Sequence, residues 1–130
     1  MTAKSVRISR ATNDLDQVLR FYVDALELEV LGSFTDHACF DGVILGRRGD
    51  PFHFEFTHQR ALTVGRAPTK ENLFVFYLPD EREWAERVQR MIQKGFQPVA
   101  TRNPYWERKG KTFEDFEGYR VVLLNEGWMP

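Results

Sequence analysis

Between Phe52 and His58 the chain alternates phenylalanines with polar residues, setting Phe52, Phe54 and Phe56 against His53, Glu55 and Thr57. A period of two belongs to a β-strand, so the rings share one face and the polar groups the other. A carboxylate centred on a strand with so apolar an opposite face points to a polar cavity rather than to bulk solvent.

The flanking pattern predicts the same order of elements twice. Val6 to Ala11 alternates as a strand, and Asn13 is placed to cap a helix whose first turn carries Asp14 and Asp16. Leu15, Val18, Leu19, Tyr22 and Leu26 recur at spacings of three and four, giving that helix one apolar face. Strands are expected at Leu28 to Phe34, Gly42 to Arg47 and Phe52 to His58, separated by Asp-Gly and Gly-Asp-Pro turn signals. The pattern lapses from Ala61 to Asn72 and then resumes with an aromatic strand from Leu73 to Leu78. Asp80 is placed as an N-cap with Glu83 at the capping-box position, and Trp84, Val88, Met91 and Ile92 form the buried stripe before Gly95. Three further strands are predicted, at Gln97 to Thr101, Lys111 to Glu114 and Arg120 to Glu126. The helix starts at Asp14 and Asp80 are 66 residues apart by their numbers, as expected of a duplicated β-α-β-β-β unit.

With 130 residues and 42% hydrophobic content, the chain is sized for a single domain with a real core. Within it, one module runs from about Ser5 to Gln59, a linker from about Arg60 to Asn72, and a second module from about Leu73 to Gly127. A balance of 18 basic against 19 acidic side chains opposes a nucleic-acid partner. The aromatic strand Leu73 to Tyr77 also lacks the basic lead-in of an RNA-recognition module. No apolar run approaches the roughly 20 residues that span a bilayer, and Met1-Thr2-Ala3-Lys4 opens no signal-type core, so a cytoplasmic protein without a membrane partner is expected. Cys39 is the only cysteine; it is expected to be a buried or half-buried filler.

Taken together, the paired β-α-β-β-β pattern, Asn13-Asp14-Leu15 through Phe21-Tyr22, Leu26-Glu27-Leu28, and Phe113-Glu114-Asp115-Phe116-Glu117-Gly118-Tyr119 resemble the vicinal oxygen chelate superfamily. That superfamily includes glyoxalase I, extradiol dioxygenases and the bleomycin and fosfomycin resistance proteins. Its usual marks are Leu-Gly-Leu after the first helix and Asp-Pro-Asp-Gly before the last strand, and this chain departs from both. A small bacterial branch shares Asn103-Pro104-Tyr105-Trp106 in the loop before the last two strands. The resemblance implies an α+β fold of two tandem βαβββ modules whose mixed sheets curl around a central cavity, helices outside. It also implies a homodimer and a small-molecule ligand or substrate.

The resemblance places metal ligands at Arg7, Glu55, Leu73 (or Phe74 with one residue of slack) and Val122. Only Glu55 is a possible donor there, since a guanidinium has no lone pair to offer. The expectation is therefore a metal-free cavity with no cofactor, in which Arg7 holds Glu55 as an ion pair. Two readings are open: the pair plugs a vestigial cavity, or it anchors a polar or anionic ligand. His53 shares the Glu55 face, so Glu55 and His53 are the candidates for acid–base work, with plain pocket lining as the alternative for His53. His37 reads as a surface residue. Among the aromatics, Tyr77, Tyr105 and Trp106 are candidate ligand contacts, the last two as a lid; a dimer contact or a cap over the core is the competing reading. Val122 completes the candidate lining. Whether the protein is an enzyme is open; a lyase, isomerase or dioxygenase using a non-standard metal site is the alternative to a binding protein.

Overall fold

Asp14, one residue later than expected, caps the first helix. In the computed structural model, which describes residues 1–130, its carboxylate accepts from the N–H groups of Asp16 and Gln17 at 3.0 and 3.2 Å. Asn13 instead holds the linker: its side-chain amide donates to the Val64 carbonyl at 2.8 Å and accepts from the Val64 N–H at 2.7 Å. Helix α1 (Leu15–Leu19) continues as a π-helical turn over Arg20–Ala25, where the Leu26 N–H reaches back five residues to Phe21 at 3.0 Å. The chain leaves this turn through Glu27 at φ 65, the left-handed conformation that favours glycine. Here the superfamily's Leu-Gly-Leu mark has a physical reason, and Glu27 adopts the glycine conformation without being one.

Chain contacts divide the protein into two units, Met1–Val64 and Gly65–Pro130. In the first, strands β1 (Val6–Ala11), β2 (Glu29–His37), β3 (Phe40–Gly46) and β4 (Phe52–Gln59) form a mixed sheet in the order β1-β4-β3-β2. β1 and β4 pair in parallel, and the other pairs are antiparallel. Val18, Phe21, Tyr22, Ala25 and Leu26 from the helical segment join Val43, Leu45, Phe54 and Phe56 in the core. Each Val, Leu or Phe side chain among them contributes about 1.5–3 kcal/mol on leaving water, before conformational entropy is charged against it. The Tyr22 and Phe56 rings meet at 4.8 Å, and the Arg10 guanidinium stacks on Phe56 at 4.8 Å while donating to the Tyr22 hydroxyl at 3.3 Å.

Contrary to the expectation of a buried filler, Cys39 is exposed at the tip of the β2–β3 hairpin. Ala38 and Cys39 both take positive φ, 52 and 70, as the right-handed twist of a tight hairpin demands.

In the second unit, β5 (Leu73–Tyr77), helix α2 (Glu81–Gln93), β6 (Gly110–Glu114) and β7 (Arg120–Leu124) form a three-stranded sheet in the order β5-β7-β6, again with its first and last strands parallel. Asp80 caps α2 through the N–H groups of Arg82 and Glu83. The strand predicted at Gln97 to Thr101 shrinks to one bridge between Val99 and Thr112. Pro98 has no N–H to give a ladder, the Ala100 carbonyl is taken by Arg120 and the Thr101 N–H by the Glu107 carboxylate. Before β7, Asp115 accepts from the N–H groups of Glu117 and Tyr119, and Gly118 turns at φ 90. The superfamily's Asp and Gly are thus the two positions that form the turn. The second half of the linker joins this turn, with the Ala67 N–H on the Glu117 carbonyl and Arg66 on the Phe116 carbonyl.

The result is a mixed α+β fold of two small mixed sheets and two α-helices without a closed barrel. No helix is long and apolar enough to cross a membrane.

Candidate functional site

Parallel pairing of β1 with β4 sets Arg7 opposite His53 and Ser9 opposite Glu55. Because cross-strand partners share a face, these four polar groups stand together on the face turned away from Phe54 and Phe56. Arg7 Nε donates to His53 Nε2 at 2.9 Å, and Arg7 Nη1 donates to Glu55 Oε2 at 3.2 Å. Ser9 Oγ donates to Glu55 Oε1 at 2.7 Å. Both carboxylate oxygens are therefore engaged. The Arg7 side chain is 47% exposed and that of Glu55 15%, so the pair is screened on one side and contributes about 0–1 kcal/mol to stability. Folding stability is thus a weak reason for these charges to be here.

Arg7, His53 and Glu55 were each legible in the sequence, and the structure brings them into one hydrogen-bonded group. Ser9 was missed. Its signal was available, since it lies two residues after Arg7 on an alternating strand, but its value depends on the β1–β4 register.

Tyr77, Tyr105, Trp106 and Val122 belong to the second unit. Tyr105 and Trp106 lie on a 3₁₀ turn (Pro104–Glu107) capped by the Asn103 side chain. Their rings meet edge to face at 5.0 Å. Arg108 stacks on Tyr105 at 4.4 Å and grips Glu126 through two bonds of 3.3 and 3.2 Å. Tyr105 is exposed, Trp106 half-buried, and Tyr77 exposed at the end of β5. Val122 is fully buried on β7, beside strand β6, whose Gly110 is approached by the Trp106 carbonyl.

Sequence reading also missed a buried cation in this unit. Arg120 donates to Glu114 at 2.9 Å and to the Ala100 carbonyl at 2.9 Å, and Arg66 lies 3.8 Å from the other Glu114 oxygen.

The metal implied by the fold can be tested against these residues. Arg7 offers no lone pair, and Leu73 and Val122 carry no donor, which leaves Glu55 as a single donor where an ion needs three or more. Nor does the chain contain a group of three His, Cys, Asp or Glu side chains disposed to hold an ion. The residues at the superfamily's ligand positions do not fit the group, and no step is derived through it.

Two small mixed sheets, each with its first and last strands parallel, give the chain the fold of the glyoxalase and fosfomycin resistance proteins. Structural comparison agrees. The fold superposes on trypanothione-dependent glyoxalase I from Leishmania major with a TM-score of 0.74 at 19% identity, covering 96% of this chain and 88% of that one. It superposes on the fosfomycin resistance protein FosX from Mesorhizobium loti with a TM-score of 0.70 at 13% identity, covering 98% and 94%. More specifically, the chain belongs to the YycE-like family: the YycE-like N-terminal domain matches residues 6–57 and the YycE-like C-terminal domain residues 71–125. It is 37% identical to the uncharacterized protein YycE of Bacillus subtilis (strain 168) over 123 residues, 95% of this chain and 88% of the relative. The crystal structure of a Bacillus subtilis YycE protein of unknown function superposes with a TM-score of 0.91 at 36% identity, covering 98% and 93%.

Proposed function

We propose that the protein binds a small, partly polar or aromatic molecule on the Arg7–Ser9–His53–Glu55 face, without the superfamily's usual metal ligands. The observation that carries this reading is the convergence of four polar side chains from β1 and β4 on the face turned away from the buried Phe54 and Phe56, with Arg7 still half-exposed. Ligand sites are typically built this way, from a few placed polar groups on a rigid scaffold. Arg7 serves as anchor, Glu55 as acceptor, and His53 lines the site. Within the second unit taken by itself, Tyr77, Tyr105 and Trp106 are candidate ligand contacts. Binding without turnover is the primary role in this reading.

A thermal-shift screen against aromatic and glycopeptide antibiotics tests it. A ligand at 100 times its dissociation constant adds about 2.7 kcal/mol to stability. That gain should vanish in the paired variant Arg7→Met/Glu55→Leu, which removes both charges together so that neither is left unpaired. A ligand that stabilises both proteins equally rules out this face as its site, and silence across a broad panel rules out sequestration of these compounds.

A further inference from the structure

We infer that the Arg7–Ser9–His53–Glu55 face selects neutral groups carrying both a hydrogen-bond donor and an acceptor, of the carboxamide type, and discriminates against anions. This rests on the reading of that face as the binding site.

The argument starts from which hydrogen-bonding atoms are already engaged. Arg7 Nε can only donate, so His53 Nε2 is the acceptor of their 2.9 Å bond and the ring carries its proton on Nδ1. His53 thereby keeps one N–H to offer, on Nδ1. Glu55 accepts from Arg7 and Ser9, which neutralises its charge against the guanidinium and leaves each oxygen with a second lone pair. Arg7 uses Nε and Nη1 in these bonds, and Nη2 is engaged by neither. The group as a whole is charge-balanced, with N–H donors on Arg7 and His53 beside acceptor oxygens on Glu55 and Ser9.

An anion entering this group gains an Arg7 donor but meets the Glu55 carboxylate, and no net positive charge offsets its lost hydration. A cation meets the converse arrangement. A carboxamide matches both halves, its carbonyl oxygen on Arg7 Nη2 and its N–H on Glu55. Along the same face, Ile44 stands opposite Glu55, and Gly42, opposite Thr57, lies under the Phe34 ring. An apolar or aromatic body attached to the amide therefore has a surface beside the polar group.

Benzamide, benzoate and benzamidine share one planar shape and differ in charge. They can be titrated into the isotopically labelled protein while the Arg7 Nε, His53 ring and Glu55 backbone signals are followed by NMR. Benzamide should move these signals with a dissociation constant at least about tenfold below those of benzoate and benzamidine. In Glu55→Gln, which leaves the Arg7 charge uncompensated, benzoate should gain at least about tenfold and overtake benzamide. If benzoate or benzamidine binds the unaltered protein at these residues as tightly as benzamide does, or if Glu55→Gln does not favour benzoate, the selectivity inference is overturned and the site reading survives. If none of the three probes moves these signals in the folded protein, the site reading falls as well.

Discussion

Three glycines allow the packing to be tested with a single methyl group. A Cβ at Gly110 meets the Trp106 backbone carbonyl, with Val122 Cγ1 at 3.2 Å and Leu124 Cδ1 at 3.3 Å behind it. The obstructing atom is main chain, so Gly110→Ala must displace the 3₁₀ turn or the strand; overpacking of this kind costs about 1–3 kcal/mol. At Gly42 the obstruction is the Phe34 ring, which can swing, so the cost is the strain of a displaced rotamer, about 0.5–1.5 kcal/mol. Part of that is returned because alanine loses less backbone freedom than glycine on folding, by roughly 0.5–1 kcal/mol. Gly65 has open space around its Cβ position and no left-handed φ, so Gly65→Ala should stabilise by about 0.4–1 kcal/mol through the unfolded chain. Equilibrium unfolding in urea, followed by circular dichroism, should place Gly110→Ala as the least stable and Gly65→Ala as the most stable, with Gly42→Ala within about 1 kcal/mol of the unaltered protein. A Gly110→Ala protein as stable as Gly65→Ala would refute the close approach of the Trp106 turn to β6.

Further outcomes follow from other sites. We propose a homodimer, supported by the exposed apolar side chains Val6, Ile8 and Phe52 on and beside β1, an edge strand of its sheet. Sedimentation should show a dimer that Ile8→Glu dissociates, and a monomeric unaltered protein would end this reading. Hydrogen bonding from Arg60 holds the Asp41 carboxyl below its ordinary 3.8, and Arg108 does the same to Glu126 below 4.5. The folded protein therefore binds fewer protons than the unfolded chain around these values. Stability is present above them and lost as pH falls through the depressed values. Urea midpoints measured from about pH 5 downward should decline, and less steeply in Asp41→Asn/Glu126→Gln; parallel curves would refute the linkage. Glu27→Gly should raise stability by about 0.5–1 kcal/mol by relieving the left-handed backbone, and a lower urea midpoint would show that the Glu27 side chain outweighs that strain.

The elements that were legible in the sequence are those whose periodicity and caps agree. The alternation at Phe52 to His58 became β4 with its faces as expected, and Asp80 with Glu83 marked the start of α2. Errors arose where a local signal was contested. Asn13 and Asp14 are both good caps, and only the tertiary bond to Val64 decides which one serves. The segment Gln97 to Thr101 has strand-like residues, but Pro98 and two side-chain hydrogen bonds remove its ladder. Arg7 and Glu55 could be found because both lie at positions marked by the superfamily. Ser9, and Arg120 with Glu114, required knowledge of which residue lies opposite which, and strand register is a tertiary quantity. Cys39 was misplaced because its burial depends on a hairpin turn whose Ala-Cys sequence carries none of the usual Asn-Gly signal.

The Asn13 amide clasps both backbone groups of Val64, while Arg66 and Ala67 are fastened to the turn before β7. Between these two sets of bonds stands one residue, Gly65, whose Cβ position is open. Gly65 is therefore a single unfastened residue between two fastened stretches of the linker. Extra residues inserted there would leave every bond on either flank intact, so length changes during divergence have a natural place to accumulate.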